Sequence, residues 1–520
     1  MLTEQPVSQT DPVLSSTETA APVAAAENAA PMAQKPAKRV ARVERLPWTA
    51  TVEQVLASWP RDRWLAAVVS SGKGPGGKDR WSIIAQPIAA VPVFGGAAGR
   101  HGGGPRLAPS LGPRPSDIEV PDLGVEPDDR PPFVGGWIAS LRYELGGVIE
   151  PTAAGDKAGD DWKAVWLCCP TALVHDRKTG TWWHVQAPAD VTLLEGAGAK
   201  MPWPTYDAPA GDAAGVGEFS AGPVTSGTGQ KRYTKGVKIA LGHIADGDIY
   251  QVNLTHQLHA PFRGSSRAFM AKLLERAQPW YGAYLEYPLR AGKREAIVST
   301  SPELFLSVTR DGKVSTRPMK GTASAGGAGA LTTSEKEQAE LTMIVDLMRS
   351  DLGRVCVPGS INVESPRDIE THAAGSLLQA TATVSGQLRP DSTTGELLAA
   401  TFPGGSVTGA PKVRAMQIIE RLEREARGQY CGAVGFVSLC GSSAFSIAIR
   451  TAAVVGSVEQ GRIDEFRSGS EVRYGVGAGI VADSSPDAEW QETLAKAGTF
   501  LEVVGASEVL EPVIDDEEDM

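Results

Sequence analysis

Four glutamates are spaced so that two helices can present them to one ion. Glu337 and Glu340 stand three residues apart, and so do Glu489 and Glu492. Residues three apart share one face of a helix, so each pair directs two carboxylates the same way. Four carboxylates that meet repel each other unless a cation lies among them, and hard oxygen ligands of this kind suit Mg²⁺. The spacing therefore admits a magnesium site.

Each glutamate pair also has an ordinary structural explanation. Ser334 and Glu337 have the Ser-x-x-Glu spacing of a helix-capping box. Glu492 stands four residues before Lys496, which is the spacing of a surface ion pair on a helix. Spacing by itself leaves the choice between a metal site and a solvated helix face open.

Lys320 is the second candidate for chemistry. A desolvated lysine near a strand end has a lowered pKa and can act as a nucleophile. The alternative is an ordinary surface lysine on a strand, with no chemical role. Asp311 and Gly312 form a dipeptide that favours a two-residue hairpin turn. Counting outward from this turn places Glu303 opposite Lys320, with Cβ atoms about 5 Å apart. The register predicts either an acid beside a nucleophile or a plain ion pair.

Arg450 and three glycines are typical of an anion-binding site. Alternation along residues 445–451 puts Arg450 on the side of the small residues, where a cavity can open. The guanidinium fork suits a carboxylate, and a structural ion pair is the alternative. Gly475, Gly477 and Gly479 let backbone N–H groups approach an anion closely. A glycine-rich turn that contains Ser406 precedes a helix start, another place where anions bind.

Hydrophobic patterning predicts an α+β fold. Helical periodicity marks 235–245 and 334–350, and further helices start near Pro411 and Pro486. Strands dominate elsewhere, and turn signals join them into hairpins. We therefore expect large antiparallel β-sheets packed as a sandwich, with helices outside.

Composition shifts divide the chain into five regions. We expect residues 1–45 to be disordered, 46–188 to form an N-terminal region and 189–228 to be a connector. Residues 229–505 then form the catalytic domain, and 506–520 form an acidic tail.

The composition excludes several classes of function. The formal net charge of -11 argues against a nucleic-acid-binding surface, which needs clustered Lys and Arg. The 5 Cys form no CxxC pair, so we expect no disulfide framework or zinc site and favour a reducing cytoplasm. No apolar run reaches the ~18 residues that a membrane-spanning helix needs.

These segments resemble the chorismate-utilising enzymes, a family that includes anthranilate synthase component I, aminodeoxychorismate synthase component I and the isochorismate and salicylate synthases. The resemblance is dense over residues 233–500 and fainter over 48–185. It is carried by motifs in the family's order, at residues 247–254, 301–303, 318–322, 344–351, 402–412, 449–451 and 477–482.

The resemblance implies a role for each candidate residue. Glu340 and Glu492 are expected to bind Mg²⁺, with Glu337 and Glu489 close by. Glu303 is expected to protonate the departing C4 hydroxyl of chorismate. The residues expected to hold the carboxylates and enolpyruvyl group are Arg450, Tyr430, Lys496, Ser406, Thr322, Gly477 and Gly479.

Two positions divide the family by reaction. Members that add water carry Lys where this chain has Gln251, which favours ammonia as the nucleophile here. A lysine at the position of Lys320 is typical of the members that aminate C4, where it is thought to attack C2 before ammonia enters. The resemblance therefore implies that the chain makes 4-amino-4-deoxychorismate, for para-aminobenzoate and folate. Many relatives carry His at the position of Gln379, which cannot donate a proton as imidazolium does.

The sequence also predicts a partner. The resemblance implies that a glutamine amidotransferase supplies ammonia, and because no Gly-x-Cys-x-Gly nucleophile motif surrounds any Cys, we expect it to be a separate chain. Two alternatives stay open: an anthranilate synthase component I, which Lys320 argues against, and a non-catalytic chorismate-binding paralogue. The paralogue predicts the loss of at least one of Glu303, Glu340, Arg450 or Glu492, and all four are present.

Overall fold

Two large β-sheets, antiparallel at almost every pairing, pack face to face. The computed structural model describes residues 39–70, 80–94, 118–155, 157, 162–191, 193, 217–324, 335–372 and 377–512. Apolar side chains from both sheets fill the layer between them. Ile83 and Leu285 of one sheet and Ile138 and Val434 of the other belong to this core and are almost completely buried.

The first sheet has 14 strands within the described residues and is built around the long pair β13 and β25. Strands are numbered in chain order. Those of the first sheet are β2 (Arg42–Leu46), β3 (Ala66–Val69), β4 (Trp81–Ala85), β9 (Thr171–Asp176), β10 (Thr181–Gln186), β11 (Phe219–Ala221), β12 (Val224–Ser226), β13 (Gln251–Ser265), β14 (Tyr281–Pro288), β15 (Arg294–Ser301), β21 (Gly409–Ala410), β24 (Thr451–Gly456), β25 (Glu465–Ile480) and β26 (Val509–Leu510).

The second sheet has 10 strands in the described part of the chain, and a separate two-stranded sheet joins β1 (Arg39–Val40) to β6 (Ile118–Glu119). The strands of the second sheet are β5 (Ala89–Phe94), β7 (Gly136–Leu141), β8 (Trp162–Cys169), β16 (Leu304–Val308), β17 (Lys313–Arg317), β18 (Met319–Ser324), β19 (Asn362–His372), β20 (Leu377–Gln387), β22 (Ala433–Ser438) and β23 (Ser443–Ile447).

The helices lie on the outer faces and at the edges of the sheets. Two of them approach each other across the sheets: α5 (Glu335–Gly353) packs against β18 and β20, and α8 (Pro486–Lys496) packs against β25 and α3 (Gln230–Ala245). The helices are α1 (Val52–Ala57), α2 (Leu145–Ile149), α3 (Gln230–Ala245), α4 (Ser266–Ala277), α5 (Glu335–Gly353), α6 (Thr394–Thr401), α7 (Lys412–Leu422), α8 (Pro486–Lys496) and α9 (Gly498–Val504).

The predicted α+β sandwich is confirmed, and so are the helix starts near residues 411 and 486. Pro486 occupies the first turn of α8, where its missing N–H leaves no hydrogen bond unmade. The expected disorder of 1–45 is wrong at its C-terminal end, because β2 begins at Arg42 and pairs with β10. Strands of the predicted N-terminal region and catalytic domain join the same sheets, since β3 pairs with β14 and β7 pairs with β22.

The predicted hairpin around Gly312 forms, but its predicted register is wrong by one residue from the turn outward, since counting from Arg310 opposite Lys313 would place Val308 opposite Ser315. β16 and β17 pair from Val308 with Val314, and the register then shifts at an irregularity before Leu304. β18, which carries Lys320, pairs with β20 and not with the strand that follows Glu303. Register counting failed first at the turn, where the Thr309 N–H and not that of Arg310 bonds to the Lys313 carbonyl. It failed again at the irregularity, because a bulge moves every residue beyond it.

In the described residues no helix is long and apolar enough to cross a membrane.

Candidate active site

A cavity of about 480 Å³ opens between the two sheets. On one side it is bordered by β25 and by α8, which packs against that strand, and on the other side by β18 and by α5, which packs against β18. It brings together most of the residues singled out in the sequence, although they are distant along the chain. Its polar and aromatic lining residues are Asn253, Glu303, Lys320, Glu340, Gln379, Ser406, Tyr430, Arg450, Tyr474, Glu489, Glu492 and Lys496, joined by Gly475, Gly477 and Gly479.

Glu303 is a buried carboxyl group at the bottom of this cavity. It lies between β15 and β16 with 4% of its surface exposed, and the Ser406 hydroxyl donates a hydrogen bond of 2.6 Å to its Oε1. Burial disfavours the carboxylate and raises the pKa of Glu303 to about 7, although Ser406 and the charge of Lys320 pull it down. Such a group is protonated in part at neutral pH, as a general acid requires.

Lys320 faces the same cavity from β18. Its Nζ lies 3.7 Å from Glu340 Oε2, and both side chains are 13% exposed. Its charge acts on Glu303, although the two lie on strands that do not pair. The predicted meeting of acid and amine is therefore correct, and the predicted strand pairing that led to it is wrong.

Gln251 lies beside Lys320, beneath Gly479. A Cβ placed on Gly479 would stand 2.9 Å from both Gln251 Nε2 and Lys320 Nζ, so glycine is what lets the two side chains approach the strand. Gln251 is fully buried, and neither its amide nitrogen nor its oxygen has a hydrogen-bond partner within the described part of the chain. An unpaired buried amide costs about 1–3 kcal/mol, which suits a side chain that binds a ligand.

Arg450 supplies a cation to the cavity wall. The strand β23 ends at Ile447, so strand alternation does not orient Arg450 as the sequence suggested. Instead its backbone has a left-handed conformation with φ 49, and its carbonyl accepts hydrogen bonds from both N–H and Oγ1 of Thr300. Burial lowers the pKa of the guanidinium. It forms no ion pair with a described carboxylate, and arginine keeps its charge in proteins, so it is available to an anion.

Tyr430 lies flat against the strand β25. Its ring occupies the space where a side chain at Gly475 would begin, so a Cβ there would overlap the ring. The next residue, Cys431, has a left-handed backbone with φ 64. Because glycine lacks a Cβ, the tyrosine can form part of the cavity wall directly over the backbone.

Three of the four glutamates line the cavity. Glu340 comes from α5, and Glu489 and Glu492 come from α8. Lys496 Nζ stands 2.7 Å from Glu492 Oε1 and donates a hydrogen bond of 2.9 Å to the Gly477 carbonyl. Within the described ranges no cluster of three or more His, Cys, Asp or Glu is tight enough to enclose a metal. The chemistry of the donors nevertheless fits Mg²⁺, because hard carboxylate oxygens from two helices face one space.

Some predicted residues fall outside this description, and others were not foreseen. The side chains of Thr322 and Glu337 lie outside the described residues. Asn253 and Tyr474 line the cavity but were missed. Tyr474 stands directly before the glycine-rich segment of β25, and this adjacency was the available signal. Asn253 could have been predicted from its position two residues after Gln251 on β13, because alternate residues of a strand lie on the same face.

Comparison with known proteins agrees with the geometry. Residues 114–502 match the family of chorismate binding enzymes, so the chain belongs to that family. It is 34% identical over 408 residues to the aminodeoxychorismate synthase of Streptomyces griseus, a match that covers 74% of this chain and 51% of the relative. It is 35% identical over 399 residues to aminodeoxychorismate synthase component 1 of Salmonella typhimurium, covering 74% of this chain and 80% of that protein.

The solved structures agree on the fold. The crystal structure of anthranilate synthase component I from Streptococcus pneumoniae is similar with a TM-score of 0.61 and 26% identity, over 82% of this chain and 92% of that one. The chain spans about half the length of the Streptomyces griseus relative, at 51%.

Proposed function

We propose that this chain is the aminating large subunit of an aminodeoxychorismate synthase, which converts chorismate and ammonia into 4-amino-4-deoxychorismate for para-aminobenzoate and folate. The observation that carries the proposal is the amine of Lys320 in the same cavity as the buried acid Glu303. The names of the Streptomyces griseus and Salmonella typhimurium relatives support it.

The proposed reaction uses two displacements in place of one. The neutral amine of Lys320 attacks C2 of chorismate, the ring double bond shifts, and the C4 hydroxyl leaves as water after it takes the proton of Glu303. Ammonia then attacks C4, the double bond shifts back, and Lys320 leaves C2 as the neutral amine, while the new C4 ammonium returns a proton to Glu303. Covalent catalysis of this kind divides one difficult step into two easier ones.

The remaining groups bind and orient the substrate. Arg450, a cation of the wall with no ion pair among the described residues, suits a carboxylate of chorismate. Ser406 holds the carboxyl of Glu303 in place through its hydrogen bond. Gln251, whose amide has no hydrogen-bond partner among the described residues, lies next to Lys320 and is proposed to hydrogen-bond the incoming ammonia. Gln379 also lines the cavity, so Glu303 carries the acid role without an imidazole beside it.

Mg²⁺ is proposed as the cofactor, held by Glu340 and Glu492 with Glu489 and Glu337 nearby. When bound, the ion neutralises the negative charge of the substrate carboxylates. The protein's own lysines, Lys320 and Lys496, are the cations that pair with Glu340 and Glu492 in this structure. A separate glutamine amidotransferase subunit is proposed as the source of ammonia, because the five cysteines of this chain are all buried.

The second candidate function is that of an anthranilate synthase, the activity named for the similar Streptococcus pneumoniae structure. It would release pyruvate and give fluorescent anthranilate directly. The decisive experiment incubates the purified chain with chorismate, Mg²⁺ and ammonium and identifies the product by mass. Aminodeoxychorismate is the expected product, and anthranilate would overturn the proposal in favour of the alternative.

A further inference from the structure

A second cavity, of about 590 Å³, lies behind Tyr430. Tyr430 and Gly475 line both this rear cavity and the candidate active site. The tyrosine ring rests on the glycine, with no Cβ between them. A single aromatic ring therefore separates two spaces, each of a size that suits a small ligand.

A fixed polar network forms part of the inner wall of the rear cavity. The Arg142 guanidinium and the Tyr287 hydroxyl each donate a hydrogen bond of 2.7 Å to Glu295 Oε2. Gln429 Nε2 in turn donates a bond of 3.1 Å to the Tyr287 hydroxyl. Because Gln429 directly precedes Tyr430, this network ties the wall of the rear cavity to the residue that separates the two spaces.

The mouth of the rear cavity carries an excess of positive charge. Arg290, Lys293 and Arg424 are exposed at this mouth, and none forms an ion pair with a described carboxylate. The Arg290 guanidinium is held in place by stacking 4.9 Å from the centroid of the Phe94 ring. Three cations at one opening attract an anion. The shape of a guanidinium group allows paired hydrogen bonds to either a carboxylate or a phosphate.

His259 adds to this positive charge. Burial lowers its pKa, but hydrogen bonds to Glu425 and Glu471 outweigh burial and raise the pKa to about 9. The imidazole therefore stays protonated at neutral pH and neutralises much of the charge of the two glutamates. Arg473 also lines this cavity, and its Nε donates a hydrogen bond of 2.6 Å to Glu471. Glu425 and Glu471 thus already have cationic partners.

We propose that the rear cavity binds a small oxyanion, a carboxylate or a phosphate, and that its occupancy changes chorismate binding through Tyr430. The binding half of the proposal is independent of the reaction. The coupling half rests on the proposed function of the front cavity, because it requires chorismate to bind against Tyr430.

Calorimetric titration of the purified chain tests the binding half. The probes are benzene-1,4-dicarboxylate, citrate and inorganic phosphate, which also distinguish carboxylate from phosphate ligands. We expect one site with a Kd below about 1 mM for at least one probe, weakened at least tenfold in the triple variant R290A/K293A/R424A. The control R263A/K272A/R276A removes the same charge from exposed positions elsewhere and should bind normally. Absence of binding, or equal weakening in both triple variants, would overturn the proposal.

The coupling half is tested in the Lys320→Ala background, which prevents chemistry during titration. Saturating probe should change the Kd of chorismate at least threefold, and chorismate should change the Kd of the probe by the same factor, as linkage requires. If chorismate does not bind at all, the proposed function fails. If it binds with a Kd that the probe leaves unchanged, the coupling is wrong and the proposed function stands.

Discussion

Lys320 and Glu340 form an ion pair inside the cavity, with 3.7 Å between Nζ and Oε2. One partner is the proposed nucleophile and the other a proposed magnesium ligand. The pair shows that the strand β18 and the helix α5 bring amine and carboxylate into one space. An amine held as an ammonium cannot attack a carbon, so this contact must loosen before the proposed covalent step.

Replacing Lys320 tests that step directly. Lys320→Ala and Lys320→Arg should both depress amination far more than they weaken chorismate binding, because Arg450 and the other carboxylate-binding groups remain. Intact-mass analysis of the wild-type chain with chorismate and no ammonia should show an adduct that both variants lack. Since arginine keeps the positive charge, normal turnover in Lys320→Arg would show that the lysine acts only through its charge.

The pH dependence of the reaction should report Glu303. With a pKa of about 7, the protonated acid predominates below pH 7, so kcat/KM should fall as pH rises through that value. Glu303→Gln should lower the rate by about 10²–10⁴-fold and remove this alkaline limb. A falling limb that persists unchanged in Glu303→Gln would assign it to another group.

The same shift predicts an effect on stability. A carboxyl whose pKa rises from 4.5 to about 7 on folding binds its proton more tightly in the native state. The pH-dependent penalty of burying it is therefore absent below about pH 4.5, grows as pH rises through the interval up to about 7, and is complete above that value. At pH 8 Glu303→Gln should be more stable than wild type, by up to roughly 3 kcal/mol, and at pH 4 about equal. Urea unfolding at the two pH values measures the difference.

Gly479 should be intolerant of even one methyl group. In Gly479→Ala the new Cβ would meet Lys320 Nζ and Gln251 Nε2 at 2.9 Å, so both side chains must move. We expect a large loss of kcat while the far-ultraviolet circular dichroism spectrum stays unchanged. Gly242→Ala on α3 is the matched control, since nothing lies within 4 Å of its added Cβ. Equal activity of Gly479→Ala and Gly242→Ala would show that catalysis does not depend on the positions of Lys320 and Gln251 beside Gly479.

Magnesium should be required, and two carboxylates should share its binding. Glu340→Gln and Glu492→Gln should each abolish turnover without lowering the melting temperature, because neither glutamate lies in the packed core. Titration of Mg²⁺ by calorimetry should show weakened binding in both variants. Full turnover in excess EDTA would contradict the proposed cofactor.

The source of nitrogen should separate this chain from its partner. The purified chain should aminate chorismate with ammonium salts and not with glutamine, because its cysteines are buried and unsuited to glutaminase chemistry. Adding a glutamine amidotransferase subunit should restore the use of glutamine. Product formation from glutamine by the rigorously purified chain alone would contradict this division.

The sequence by itself determined the elements and the residue types of the site. Helix starts such as Pro486 follow from local backbone preferences, and the antiparallel fold follows from hairpin signals and alternation. Resemblance to a family of chorismate-utilising enzymes then selected Lys320, Glu303 and Arg450 among many residues of the same types. These inferences succeed because they depend on neighbours in the chain or on several motifs in a fixed order.

Only the tertiary structure decided how those residues meet. The hairpin of β16 and β17 takes another register than the count from its turn, and β18 pairs with β20, so Glu303 and Lys320 share a cavity without sitting on paired strands. A left-handed backbone, and not strand alternation, places Arg450 in the wall. The rear cavity depends on Gly475 lying beneath Tyr430, two residues that are far apart along the chain. Such contacts are set by how sheets and loops pack, and no local preference encodes them.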